Sequence, residues 1–485
     1  MLKSLVGFLH RTDGSLQHKA VRSGVWAGLS SVGVVALTFV RGIVLARLLS
    51  PETFGLMAVS LMATRLIEIF TETGFGQALV HRQDNFEEAR DTAFTMMVMR
   101  GVGLTLLSGA IAPLVAWFYG EPVLQSVVAV VGLSFLMIGF QNINSVALQK
   151  NLDFKLLTYM ELTSATLSFV ATVALAYWLR DIWALVWAQV ASATITSGLS
   201  FLMLPGTVRF RFNRAIARDL YAYGRFITGL AIVVFLSREL DSALIGKLLG
   251  MEQLGFYVAA YSLANIPSTY LSKLVARVMF PFFSRLQNDP DGLRREYLRG
   301  LTMITTVAVP VSVAMGVLAP DIIRALYGDR WIAAVAPLQV LAVFGCFRSM
   351  WMLNGYLYNA IGMPHIDFYV SLGRLLAMLA LLSPLTTRYG PVGAAYAVTL
   401  PMIGQYCVGV FLSRRYVQSP IGRTVAPLLT STWQGLVLAA VLVVSRPLIG
   451  SNPRWTLAAL AGICCAVWAA FNARNVRSLV TVARP

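Results

Sequence analysis

Residues 46–59 read ARLLSPETFGLMAV, and residues 246–259 read GKLLGMEQLGFYVA. Leu48-Leu49 returns as Leu248-Leu249, Glu52 as Glu252, Gly55 as Gly255, and Arg47 as Lys247. Farther on the echo continues at a slightly longer offset. Ala112-Pro113 and Tyr119-Gly120-Glu121 find counterparts in Ala319-Pro320 and Tyr327-Gly328-Asp329, and Asp181-Ile182-Trp183 stands against Gly390-Pro391-Val392. A duplicated apolar half of about 200 residues is how many secondary transporters are built, with the substrate path between the copies.

Composition names the solvent. The chain has 485 residues, 57% of them hydrophobic and 13% charged, with a mean hydropathy of +0.70. A water-soluble protein could not hide so much apolar surface, so lipid is the expected surrounding. About 14 hydrophobic runs of roughly 20 residues recur between residues 23 and 472, each long enough to cross a hydrocarbon core of ~30 Å. The predicted fold is therefore all-α and membrane-integral. Two parallel six-helix lobes related by a pseudo-two-fold axis occupy residues 1–204 and 224–412. A linker, residues 205–223, joins them, and two extra spans with a tail fill residues 413–485. Ile216, Leu220 and Tyr223 are spaced for an amphipathic linker helix lying on anionic headgroups.

The net charge of +17 is distributed in a way that argues against nucleic acid. Lys3, Arg11, Lys19, Arg82, Arg90, Lys150, Arg209, Arg211, Arg214, Arg285, Arg414 and Arg477 all fall on one side of the expected spans. The opposite loops hold mainly Arg180, Arg330, Arg388 and Arg454. This positive-inside bias predicts a multi-pass membrane protein with both termini cytoplasmic. The first apolar run is too long for a cleavable signal core, so it reads as a retained span. Cys346, Cys407, Cys464 and Cys465 lie inside spans without metal-ligand spacing and read as small buried hydrophobes. No phosphate loop, metal-binding histidine cluster or nucleophile motif is present in the sequence, so no metal, cofactor or catalytic residue is expected.

Charges within the spans are the informative exceptions. Burying one costs roughly 2.5–3.5 kcal/mol on insertion scales, so such residues face protein or a water-filled cavity. Arg41 lies in span 1. Arg65, Glu68 and Glu72 share one face of span 2, at i, i+3 and i+7. Glu161 opens span 5; Arg238, Glu239 and Asp241 lie in span 7, and Arg348 in span 10. Lys273, Arg277 and Arg100 sit close enough to span ends to snorkel. In the repeat register Arg41 matches Asp241, while Arg65, Glu68 and Glu72 match Asn265, Ser268 and Ser272. A polar cleft lined by spans 1, 2, 7 and 8 is the expected result. An intrahelical Arg65–Glu68 pair that merely helps span 2 pack is the plainer alternative. Gln141, Asn142 and Asn144 read equally well as interhelical hydrogen-bonding groups.

Three stretches carry a resemblance to a known family. They are Ala46–Gly55, the run Gly74-Phe75-Gly76-Gln77-Ala78-Leu79-Val80, and the run Leu148-Gln149-Lys150-Asn151-Leu152-Asp153-Phe154-Lys155. Over about its first 420 residues the chain resembles the bacterial polysaccharide transporter family. Its members are flippases of lipid-linked O-antigen, colanic-acid and exopolysaccharide repeat units, within the multidrug/oligosaccharidyl-lipid/polysaccharide exporter superfamily. The resemblance implies alternating access and a cationic cavity for an undecaprenyl-pyrophosphate-linked oligosaccharide. Phe39-Val40-Arg41 is similar to the segment that supplies a cavity arginine in related peptidoglycan-precursor flippases, which assigns that role to Arg41.

On this reading Arg41 and Arg348 bind the pyrophosphate first, with Arg65 and Arg238 in support. Arg41 and Asp241 are a candidate gate. Glu68, Glu72 and Glu161 are candidate sites of ion coupling. Expected partners are the lipid-linked oligosaccharide, membrane lipids, and the polysaccharide polymerase and chain-length machinery. A drug/cation antiporter of the same superfamily and a membrane-embedded polymerase or glycosyltransferase are the competing functions.

Overall fold

A computed structural model describes residues 16–69, 79, 85–150, 154–446, 459–464 and 466–468, and its regular elements there are helices. The first of two compact units is residues 1–243. It holds α1 (Leu16–Leu48), α2 (Pro51–Ile69), α3 (Phe86–Tyr119), α4 (Val123–Gly139), α5 (Asn144–Lys150), α6 (Phe154–Leu179) and α7 (Ile182–Met203). Helix α8 (Arg214–Leu249) begins there and runs past the division. The second unit, residues 244–485, continues with α9 (Met251–Ala264), α10 (Ile266–Arg285), α11 (Pro290–Val317) and α12 (Ala319–Leu326). A 3-10 turn over Asp329–Ala334 then leads into α13 (Val335–Ala360), α14 (Pro364–Tyr416) and α15 (Ile421–Ser445).

Three of the sequence echoes fall at helix breaks in both copies, whereas Pro113 lies inside α3 and its counterpart Ala319-Pro320 opens α12. Between α1 and α2 the Ser50 hydroxyl accepts the Thr53 N–H at 3.3 Å, and Pro51 occupies the first helical position, where its missing donor costs nothing. The equivalent break between α8 and α9 falls at Gly250, whose φ of 85° suits a residue without Cβ. Tyr119-Gly120 ends α3 with Gly120 at φ 74°, and Tyr327-Gly328 turns at φ 98°. Asp181 caps α7 by accepting the Trp183 N–H at 3.0 Å, and its counterpart Gly390 kinks α14 at φ 61°, ψ −145°.

Among the described residues, eight helices are long and apolar enough to cross a membrane, nine if α4 and α5, bent by 56° at their break, are one span. This is fewer than the expected fourteen, for identifiable reasons. Helix α14 is two helices joined at Gly390, where φ 61° and ψ −145° are non-helical, and that break divides expected spans 11 and 12. Span 2 carries Glu52, Arg65 and Glu68, span 7 carries Arg238, Glu239 and Asp241, and span 8 is interrupted at Asn265. Half of span 14 and all of Glu72 lie outside the described residues. The expected separate linker helix is also replaced. Leu204 leads into a non-helical strap that ends at Asn213, and residues 214–223 are the first turns of α8.

In the first unit α4 packs against α2, α3 and α7, while α6 packs against α1 and α7. Lipid offers no hydrophobic drive between helices, so close backbone approach matters. A Cβ added at Gly101 of α3 would stand 2.6 Å from the Phe135 carbonyl oxygen, and one at Gly139 of α4 2.8 Å from that of Met97. In the second unit α13 is central, against α9, α10, α11 and α14, and α15 packs on α11. Trp117, Trp178 and Leu202 point outward at 77%, 79% and 83% exposure, as lipid-facing side chains should.

Candidate substrate-binding groups

The first unit carries a charged quartet. Arg65 Nη1 on α2 meets Glu239 Oε1 on α8 at 3.1 Å. Glu68, one turn farther along α2, has Oε1 3.9 Å from Arg100 Nη2 of α3, and the same nitrogen donates to the Glu68 carbonyl at 3.3 Å. Arg65, Glu68, Ile69 and Arg100 line a cavity of about 310 Å³. The alternative of an Arg65–Glu68 pair within the helix is thus corrected, because each residue reaches to a different helix instead. Two guanidiniums face two carboxylates here, so the quartet is balanced. Its Arg65 side chain remains 59% exposed, accessible to a competing anion.

Arg41 and Arg348 differ from the quartet in having no acid. Arg41 is half-buried on α1 and has no hydrogen bond or ion pair among the described residues. It is not paired with Asp241 in this structure. Asp241 is buried at 3% exposure and accepts the Ser242 N–H at 2.8 Å. Arg238 is exposed on α8, and the exposed Glu161 accepts the Ser30 hydroxyl of α1. Lys273 and Arg277 have side chains outside the described residues.

Arg348 of α13 sits at a break built by sequence. Pro267 cannot continue a helix from α9, so the chain interrupts at Asn265 and restarts as α10. Side chains add to the backbone bonds at the break: Asn265 Nδ2 donates to the Tyr261 carbonyl at 3.0 Å, and the Ser268 hydroxyl to the Asn265 carbonyl at 3.0 Å. Asn265 Oδ1 then accepts Arg348 Nη1 at 2.8 Å, and the Tyr261 hydroxyl lies 3.3 Å from the same nitrogen. The Phe344 ring, one turn back on α13, lies 5.7 Å below the guanidinium, where its π face favours a cation. Neutral partners hold the group, and among the described residues no acid pairs with it.

The second unit therefore uses Tyr261 and Phe344, and the first uses Arg100 and Glu239, none of which sequence reasoning placed in a site. Phe344–Arg348 at i, i+4 was a readable signal; the Arg65–Glu239 meeting was not, because it depends on packing. Asn142 and Asn144 prove to be structural. Asn142 donates its N–H to the Ser200 hydroxyl at 2.8 Å and accepts the Asn144 N–H at 3.0 Å, which closes the α4–α5 bend.

The profile of the polysaccharide biosynthesis protein family matches residues 44–336, from the end of α1 into the start of α13. The chain belongs to the polysaccharide biosynthesis protein family. Individual polysaccharide biosynthesis proteins match over most of their length. The teichuronic acid biosynthesis protein TuaB of Bacillus subtilis is 28% identical over 74% of this chain and 75% of its own. The lipopolysaccharide biosynthesis protein WzxC of Escherichia coli is 24% identical over 90% and 88%. Among solved structures, the lipid II flippase MurJ in an inward closed conformation superposes with a TM-score of 0.74 at 16% identity. That match covers 95% of this chain and 100% of MurJ. It establishes that the family fold here is the all-α membrane-transporter fold.

Proposed function

We propose that this protein is a flippase that carries undecaprenyl-pyrophosphate-linked oligosaccharide repeat units from the cytoplasmic to the outer leaflet of the bacterial inner membrane. It works by alternating access and supplies a surface polysaccharide. The observation that carries the reading is Arg348: a membrane-depth cation that, among the described residues, is held by the neutral groups of Asn265, Tyr261 and Phe344. A group so placed is costly unless an anion visits it. Membership of a polysaccharide biosynthesis family supplies the class of anion.

A pyrophosphate between a prenyl tail and a sugar chain cannot enter hydrocarbon with its hydration shell. Arginine replaces that shell with charge-assisted, bidentate hydrogen bonds. Arg41 and Arg348 would make the primary contacts. Arg65 would join by exchanging Glu239 for phosphate, and Arg238 would attract the headgroup from the exposed face of α8. Glu68, whose neighbour Arg100 would respond to its charge, and Glu161 are the coupling candidates; Asp241 would influence α8 from within. The chain acts as a transporter and performs no covalent chemistry. The polymerase and chain-length machinery would receive its product.

Mass spectrometry of lipid that copurifies with the protein tests this. A polyprenyl-pyrophosphate oligosaccharide is the expected ligand, lost in Arg348→Gln. Copurification of a cationic amphiphile instead would overturn the reading in favour of an antiporter.

A further inference from the structure

The strap between α7 and α8 is docked, and docking leaves an unusual surface. Its backbone is bonded at alternate residues, as in an extended chain, by side chains on one face of α3. The Arg209 N–H donates to Asp91 Oδ1 at 3.4 Å. The Arg211 N–H donates to the Thr95 hydroxyl at 3.0 Å, and that hydroxyl donates back to the Arg211 carbonyl at 2.9 Å. The Asn213 N–H donates to the Thr92 hydroxyl at 3.3 Å, and its amide nitrogen to Glu88 Oε1 at 3.0 Å. Phe210 lies 5.3 Å from the Phe94 ring. The acids within reach, Glu88 and Asp91, are engaged with the strap backbone, Asn213 and Arg90.

What remains outside is Arg209-Phe210-Arg211-Phe212, followed by Arg214. All three arginines are exposed, with no ion pair or hydrogen bond to their guanidiniums among the described residues. Phe210 and Phe212 are 67% and 54% exposed. Arg214 is the first residue of α8, whose first turn has no acid. A cation at the positive end of a helix dipole is unfavourable unless an anion neutralises it. Cations alternating with aromatic rings suit the phosphate and glycerol layer of a bilayer.

We propose that Arg209, Arg211 and Arg214, with Phe210 and Phe212, form a binding site for the headgroups of anionic phospholipid in the cytoplasmic leaflet. The side of the membrane rests on the charge asymmetry of the loops; the lipid site is otherwise independent of the flippase reading. Because the strap is bonded to α3 and leads directly into α8, bound lipid fixes the depth at which α8 enters the membrane.

The test uses the full-length protein in nanodiscs containing phosphatidylglycerol diluted into phosphatidylcholine, with lipid retained after detergent exchange counted by native mass spectrometry. The triple variant Arg209→Gln/Arg211→Gln/Arg214→Gln should retain phosphatidylglycerol about 100-fold more weakly, at roughly fivefold per arginine. Phe210→Ser/Phe212→Ser should weaken both lipids. Unchanged phosphatidylglycerol retention in the arginine variant, at unchanged melting temperature, would overturn the proposal. If that variant melts early, each single Arg→Gln variant replaces it, and equal retention in all three overturns the site. Retention is read without transport, so loss of flipping with intact retention would bear on the flippase reading alone.

Discussion

Replacing Arg348 separates a charge that binds substrate from one that merely packs. A guanidinium has five N–H donors, and among the described residues one nitrogen is engaged, at 2.8 Å by Asn265 and 3.3 Å by Tyr261. The other donors remain for a phosphate. A hydrogen bond to a charged group is worth about 1.5–3 kcal/mol, so losing one to pyrophosphate corresponds to roughly 10- to 150-fold in affinity. Arg348→Gln should weaken binding by that factor. Arg348→Lys keeps the charge but loses the planar fork, and should weaken it by roughly three- to tenfold. Tyr261→Phe removes only the longer contact and should change affinity by less than about fivefold. Titration of a fluorescent prenyl-pyrophosphate oligosaccharide into protein in nanodiscs reads all three. If Arg348→Gln binds as tightly as the parent while its melting temperature falls, the arginine is a structural clamp and the reasoning fails.

Other consequences can be checked separately. The Arg65–Glu239 pair is 3.1 Å long with Arg65 mostly exposed, so a double-mutant cycle to Ala should give a coupling of about 0.2–1 kcal/mol to stability. A value of several kcal/mol would mean that the pair is buried by neighbouring groups. Thr95→Val removes two hydrogen bonds to the exposed strap backbone and should cost about 1 kcal/mol; trypsin cleavage after Arg209 and Arg211 should accelerate, and unchanged cleavage would show that the strap is held otherwise. Gly390→Ala meets no steric neighbour, yet φ 61°, ψ −145° is a conformation for which a side chain costs on the order of 1–3 kcal/mol. Its melting temperature should drop, whereas Gly404→Ala, which also has open space but lies in regular helix, should not.

The fold was legible because its punctuation is local. Ser50-Pro51, Tyr119-Gly120 and Asp181 carry their own turn chemistry, and their echoes at Gly250, Tyr327-Gly328 and Gly390 also mark breaks. The number of crossings was less legible, since Asn265-Ile266-Pro267 interrupts span 8 and Gly390 separates two helices with no loop between them. The linker was misread as a separate helix because periodicity in Ile216, Leu220 and Tyr223 does not reveal that the helix has no end before Leu249. Intramembrane arginines announced themselves by cost. Their partners did not, because Arg65 to Glu239 and Arg348 to Asn265 are 174 and 83 residues apart in the chain, and only packing joins them.

The flippase account is tested most directly in proteoliposomes loaded with a labelled undecaprenyl-pyrophosphate oligosaccharide, by following how much becomes accessible to a membrane-impermeant glycosidase added outside. The account predicts that accessible label rises beyond the half initially exposed when the protein is present, and that it stays at half with Arg41→Gln/Arg348→Gln. A rise in the double variant equal to that of the parent would contradict it.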